Sequence, residues 1–112
     1  MNFKEMEYLL AVEQEKNLSK AARTVGISQP AMSKCLRMVE AELDVSLFEK
    51  ISGEYIPTAA GKVFLNFAKE TKERKNKFLR ELQELNQFKR GTIRVGITPA
   101  RSYGLTPEVL PE

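Results

Sequence analysis

Apolar side chains recur at helical spacing in four stretches of this 112-residue chain, and a short interval of different rhythm separates the third from the fourth. The first stretch, residues 3–14, puts Phe3, Met6, Leu9, Leu10 and Val12 on one stripe and predicts a helix with a core-facing side. Residues 17–40, NLSKAARTVGISQPAMSKCLRMVE, parse as two short helices joined by a tight corner. Ser19 can cap the first of them; Ala21, Ala22 and Val25 give it a small apolar face, and Gly26 supplies the positive φ that ends it. Ile27 plugs the corner. Ser28 can cap the second helix, with Gln29 and Pro30 in a first turn where a missing amide hydrogen costs nothing. Its expected buried stripe is Met32, Leu36, Val39 and Leu43. Leu47 and Phe48 should anchor two short strands, Phe48–Ile51 and Glu54–Pro57, turned at Ser52-Gly53. From Thr58, a capping residue, one helical pattern runs to about Phe88 and is broken at Gly91; some thirty residues at about 1.5 Å each exceed roughly 40 Å. Thr92 to Ile97 then reads as a short strand.

The fold class predicted from this order is mainly α, a winged helix-turn-helix with a long C-terminal linker helix. The long helix carries its apolar residues in two patches: Val63, Phe64, Phe67 and Ala68, then Phe78, Leu79, Leu82, Leu85 and Phe88. Between them KETKERKNK, residues 69–77, holds five bases and two acids and buries almost nothing alone. Packing back on the chain's own small domain can cover the first patch but leaves the second in water, so pairing with a twin helix is expected. Phe64, Phe67, Phe78, Leu82 and Leu85 are the candidate dimerisation residues. A membrane-surface helix fits less well, because basic and apolar segments are separated along the axis instead of lying on opposite faces.

Charge sharpens the picture only when divided along the chain. Residues 1–62 hold 8 bases and 9 acids, a balance of −1, although the whole chain stands at +3. Yet Lys16, Lys20, Arg23, Lys34 and Arg37 follow one another with no acid between Glu15 and Glu40, so one face should be positive. Scattered helix-surface lysines would be merely solvated. Here the bases coincide with the helix-turn-helix, whose second helix, residues 28–43, shows Gln29, Ser33, Lys34 and Arg37 opposite its apolar stripe. Those are the side chains that read base edges and phosphates in a major groove. The candidate DNA-binding set is Ser28, Gln29, Pro30, Ala31, Ser33, Lys34, Arg37 and Lys50, with Pro30 and Ala31 available to thymine methyl groups.

AARTVGISQPAMSK, followed by Glu40, Leu43, Leu47-Phe48 and the TAAG at Thr58–Gly61, resembles the LysR-type transcriptional regulators over roughly the first ninety residues in one register. That resemblance implies a winged helix-turn-helix at 1–57, a dimerising linker helix at 58–90, and, at 91–112, the opening of a ligand-sensing domain. It also implies a homodimer on double-stranded DNA, with a tetramer open for a full-length protein. The chain is expected to be a fragment, since 112 residues cannot hold a complete sensing domain and Thr98–Ser102, like an effector-pocket loop, lacks its other walls. Departures from the family pattern carry consequences. Asp44 stands where glycine is usual, and an aspartate takes the left-handed conformation at some cost. Gly53, Glu54 and Tyr55 occupy a wing that usually bears arginines; Lys50 keeps one base, but an acid at the tip is repelled by phosphate, so minor-groove contact by the wing should be weak or absent. Cys35 and Met38 replace polar or basic residues in the recognition helix and should weaken its electrostatics.

Composition excludes other classes. One cysteine forbids an internal disulfide, and the absence of histidine removes the usual zinc ligands and the usual catalytic base, so no metal, no cofactor and no enzyme activity are expected. Cys35 as a redox switch competes with Cys35 as a small apolar filler; with no second cysteine to resolve a sulfenic acid, the filler reading is preferred. No apolar run reaches membrane-span or signal-peptide length, and a cytoplasmic protein is expected. The rival function is a dimeric winged-helix scaffold for protein contacts without DNA readout.

Overall fold

Asn2 and Glu5 open the first helix by satisfying each other's backbone: the Glu5 amide donates to Asn2 Oδ1 at 2.8 Å and the Asn2 amide to Glu5 Oε1 at 3.0 Å. The computed structural model describes the chain over residues 1–93, and its side chains as far as residue 86. Six elements follow in order: α1 (Phe3–Glu15), α2 (Leu18–Val25), α3 (Gln29–Leu43), β1 (Phe48–Ile51), β2 (Glu54–Pro57) and α4 (Ala59–Ile93). The chain divides into a unit of Met1–Lys75 and a second that begins at Asn76 within α4.

The core of the first unit draws on every helix and on the approach to the wing. Leu9, Val12, Met32, Val39, Leu47 and Leu65 are its fully enclosed large side chains, flanked by Ala21, Ala22, Leu36, Phe48, Phe64 and Ala68. Each large buried side chain contributes about 1.5–3 kcal/mol of transfer free energy, which is the main force holding five short elements and the start of a long helix together. β1 and β2 form an antiparallel ribbon with Phe48 opposite Pro57 and Ile51 opposite Glu54. Ser52 (φ 52°) and Gly53 (φ 82°) make its two-residue turn, the pair of positive φ angles that matches the natural twist of such a ribbon. Strand bounds and turn coincide with those read from the sequence.

The end of α3, the wing and the start of α4 are joined at Leu47. Leu47 N donates to Glu40 Oε2 at 2.7 Å, and Leu47 O accepts from Thr58 N at 3.0 Å. Thr58 caps α4, its Oγ1 accepting from Gly61 N at 2.9 Å and donating to Ser46 O at 2.6 Å. Gly61 is buried on the Leu47 backbone, so that a Cβ there would land on the Leu47 carbonyl group. From that contact the inward stripe of α4 runs through Phe64, Leu65 and Ala68, at the three- and four-residue steps of one helix face. Further on, Lys69 pairs with Glu13 at 3.4 Å, Lys72 with Glu7 at 3.8 Å, and the Lys75 ammonium lies 5.1 Å from the Phe3 ring centroid. Three bases of the 69–77 segment thus lie along α1.

Several expectations are corrected. Phe64, placed on the dimerisation face from sequence, is 6% exposed in the core, while Val63, expected inside, is 72% exposed. The stripe is rotated by about one residue because Gly61, not Val63, makes the closest approach, and Leu65 takes the vacated inward position. Leu43 keeps the angular position of its stripe but sits in the last turn of α3 beside the reversal at Asp44 (φ 57°), and it is exposed. Phe3, at the first position of α1, is covered only in part, and Leu10 is half-buried, whereas Ala11 joins the core. Gly91 does not break α4, since one glycine costs a helix only about 1 kcal/mol. Thr92 and Ile93, expected in a strand, belong to α4; the rest of that strand and the remaining residues of the 91–112 segment lie outside the described residues.

Gly61→Ala provides a direct check on the Leu47 contact. In an open helix the change gains up to about 1 kcal/mol, whereas here it should cost about 1–3 kcal/mol, read as a lower urea midpoint at unchanged m-value.

Candidate nucleic-acid interface

The corner between α2 and α3 is built from backbone first. Gly26 takes φ 82°, its amide donates back to Ala22 and Arg23 carbonyls, and Ile27 N reaches Ala22 O at 2.9 Å. Nothing lies within 4 Å of a Cβ at Gly26, so the demand there is for the left-handed conformation and not for space. At the other end of α2 the cap is Asn17, whose side chain accepts from Lys20 N at 2.8 Å. Ser19 was expected in that role. The helix begins two residues earlier than the serine reading allows, so Ser19 lies inside the first turn with its hydroxyl released, and it donates to Gln29 Oε1 at 3.0 Å.

Ser28 caps α3 as expected, its Oγ accepting from Ala31 N at 3.2 Å with Pro30 in the first turn. Two faces then separate. Met32, Cys35, Leu36 and Val39 are buried, and Ser28, Gln29, Pro30, Ala31, Lys34 and Arg37 are exposed with Ser33 half-buried between them. Spacing from Gln29 to Ser33 to Arg37 is one helical turn at each step, which sets all three along one side of the helix. No acid stands in the first turn of α3, so the positive end of its dipole is unopposed there.

Lys50 is the one candidate that belongs to another element. It lies exposed on β1, its ammonium 5.4 Å from the Tyr55 ring centroid, within the range of a cation–π contact. Tyr55 in turn donates its amide to Lys16 O at 3.0 Å, tying β2 to the end of α1, where Lys16 caps the helix in the left-handed conformation (φ 59°). Glu54 is exposed at the wing tip. The four ion pairs among the described residues leave out Lys16, Lys20, Arg23, Lys34, Arg37 and Lys50. These charges are exposed and held in no ion pair among the described residues, Lys50 alone lying against an aromatic ring, which leaves them able to meet phosphate.

Cys35 does not dilute the exposed face, because it points into the core; Met38 does, at 55% exposure. Burial, with the Glu5 carboxylate adding to it, pushes the Cys35 thiol up to about 11. A protonated, enclosed thiol is a filler and not a sensor. Of the remaining pairing candidates, Phe67 is exposed in the first unit, and Phe78, Leu82 and Leu85 are exposed in the second. The contact missed by sequence reasoning is the one from Ser19 to Gln29. A hydroxyl beside a better cap, ten residues before a glutamine on the next helix, was the available signal.

Residues 3–62 match the model of a bacterial regulatory helix-turn-helix protein, lysR family. The chain is 31% identical over 112 residues to the DNA-binding transcriptional dual regulator OxyR of Escherichia coli K12, covering 99% of this chain and 36% of that protein. It therefore spans little more than a third of the length of such curated relatives. Among solved structures, the CbnR DNA-binding domain in complex with DNA is similar at 29% identity and a TM-score of 0.71, covering 76% of this chain and 98% of that one. The BenM DNA-binding domain on the benA site 1 DNA is similar at 26% identity and a TM-score of 0.72, covering 76% and 96%.

The shift at Cys35 fixes a pH dependence. Below an ordinary thiol value of 9.0 the group is protonated in both folded and unfolded chains and contributes no slope; between 9.0 and about 11 only the unfolded chain ionises, so stability falls as pH rises through that window. Thermal unfolding of the parent and of Cys35→Ala at about pH 8 and pH 10.5 should show a smaller alkaline loss in the variant.

Proposed function

Given that the chain belongs to the lysR family of bacterial regulatory helix-turn-helix proteins, we propose that it binds duplex DNA sequence-specifically, as the reading head of a transcriptional regulator. α3 enters the major groove. The observation that carries the reading is the division of α3: one side is fixed in the core by Met32, Leu36 and Val39, and the other offers Gln29, Ser33, Lys34 and Arg37 to solvent with no acid in the first turn. Gln29, Ser33 and Lys34 meet base edges, Pro30 and Ala31 meet thymine methyl groups, and Ser28, whose oxygen already accepts from Ala31 N, still has its proton to give to a phosphate. Arg37 and Lys50 serve as phosphate contacts.

Pairing of two chains through α4 completes the reading. Phe78, Leu82 and Leu85 recur at four- and three-residue steps and are 55%, 43% and 61% exposed, with Phe67 at 48% earlier on the helix. Apolar groups of that size in that rhythm support a helix-to-helix contact with a second copy, whose two recognition helices would read half-sites about 34 Å apart or a multiple of it. Among the described residues no helix is long and apolar enough to cross a membrane.

Fluorescence anisotropy on duplexes selected from a random pool tests the proposal. Gln29→Ala should lose about 1–3 kcal/mol on the selected site and relax preference at one base step, whereas Arg37→Ala should weaken all duplexes alike and flatten the salt dependence. Binding indifferent to salt and to competitor DNA would favour the scaffold reading instead. Glu54→Arg should raise affinity most at low salt and beside narrow A·T-rich minor grooves, where negative potential is highest; an unchanged affinity at every salt concentration would show that the wing tip never approaches the duplex. Leu82→Lys should sediment as a monomer where the parent sediments as a dimer, and should lose up to about 10²–10⁴ in apparent affinity on paired half-sites but little on one.

A further inference from the structure

We propose that Ser19 decides which bases Gln29 can read, by holding the glutamine amide with its carbonyl oxygen committed to α2 and its amino group left for DNA. The inference rests on the DNA-binding function proposed above and adds a positioning residue that touches no base itself. Its basis is the bond from Ser19 Oγ to Gln29 Oε1, 3.0 Å long, across ten residues and from one helix of the pair to the first turn of the other. Asn17 caps α2, so the Ser19 hydroxyl is not needed by the helix end. Ser19 is half-buried and Gln29 exposed, and the bond between them lies at the surface, where the rest of the amide is open to a ligand.

Amide chemistry turns this contact into a preference. A glutamine amide carries an acceptor oxygen and a donor NH2 on opposite sides of the same carbon. A free glutamine uses both on adenine, the oxygen accepting from N6–H and the nitrogen donating to N7. Oε1 has a second lone pair, but the bond to Ser19 fixes the direction of the amide, so the bidentate pairing must either meet adenine in that one orientation or give up the interhelical bond. The amino group alone suits an edge made of acceptors: guanine, with N7 and O6, or thymine, with O4. Ser19 therefore biases Gln29 away from adenine.

The test uses the whole chain and duplexes that differ at one base pair. A selected site is first scanned with Gln29→Ala to find the step whose preference flattens, and the parent, Ser19→Ala and Ser19→Thr are then titrated on all four base pairs at that step. The parent should favour guanine or thymine there. Ser19→Ala should raise adenine relative to the favoured base by about fivefold or more, the lower end of what a bidentate pair discriminates. Ser19→Thr, which keeps the hydroxyl, should retain the parental ranking. Alanine is the better helix former, so the variant folds, and an unchanged salt slope would show its phosphate contacts intact. The inference is overturned if the parent ranks adenine first, if Ser19→Ala keeps the parental ranking while Gln29→Ala flattens it, or if Gln29→Ala flattens no step. In those cases the DNA-binding proposal stands; a parent chain that binds no duplex in a salt-dependent way overturns both.

Discussion

The end of α3, the wing and the start of α4 converge on one residue, Leu47. Its amide is held by the Glu40 carboxylate from the recognition helix, its carbonyl receives the Thr58 amide at the entrance to α4, and its side chain is enclosed in the core. A buried or half-buried backbone group left without partners costs on the order of 1–3 kcal/mol, so this arrangement is held by penalty as much as by attraction. Glycine at 61 is the steric condition for it, because only a residue without Cβ lets α4 lie against that carbonyl. The wing leaves from Phe48 and returns at Pro57, its two ends meeting across the first pair of the ribbon.

The helix pair obeys a different constraint, one of conformation. Positive φ at Gly26 reverses the chain between α2 and α3, and positive φ at Lys16 and Asp44 ends α1 and α3. Only the first of these is a glycine, so the other two carry a backbone cost that the surrounding packing must offset. Lys16 shows how: its carbonyl accepts the Tyr55 amide, which fastens the wing's second strand to the end of the first helix.

Local rules made much of this legible in advance. Alternation and turn chemistry located both strands and the Ser52-Gly53 turn, and capping rules found Ser28 and Thr58, because each depends on a few adjacent residues. Failures arose where distance along the chain separates cause and effect. Periodicity finds the face of α4 but not its rotation within one residue, which Gly61 sets by meeting Leu47; hence Val63 for Leu65 and the misplacement of Phe64. The bases of 69–77 looked free for lack of any sign that Glu7, Glu13 and Phe3 lie beside them. In the candidate interface, the polar face of α3 followed from its apolar one, but the Ser19 to Gln29 contact required knowing how two helices cross.

Thr58 alone stands between the last residue of β2, Pro57, and the first of α4, Ala59. Such a junction has no slack. Thr58 is itself bonded on both sides, to Ser46 and Leu47 behind it and to Gly61 ahead, so the ribbon and the opening turns of the helix move as one lever. A chimera that carries this head on a foreign helix would have to keep the native residues through Ala68, where the inward stripe ends. Cut earlier, the graft would take the helix and leave behind the surface that steers it.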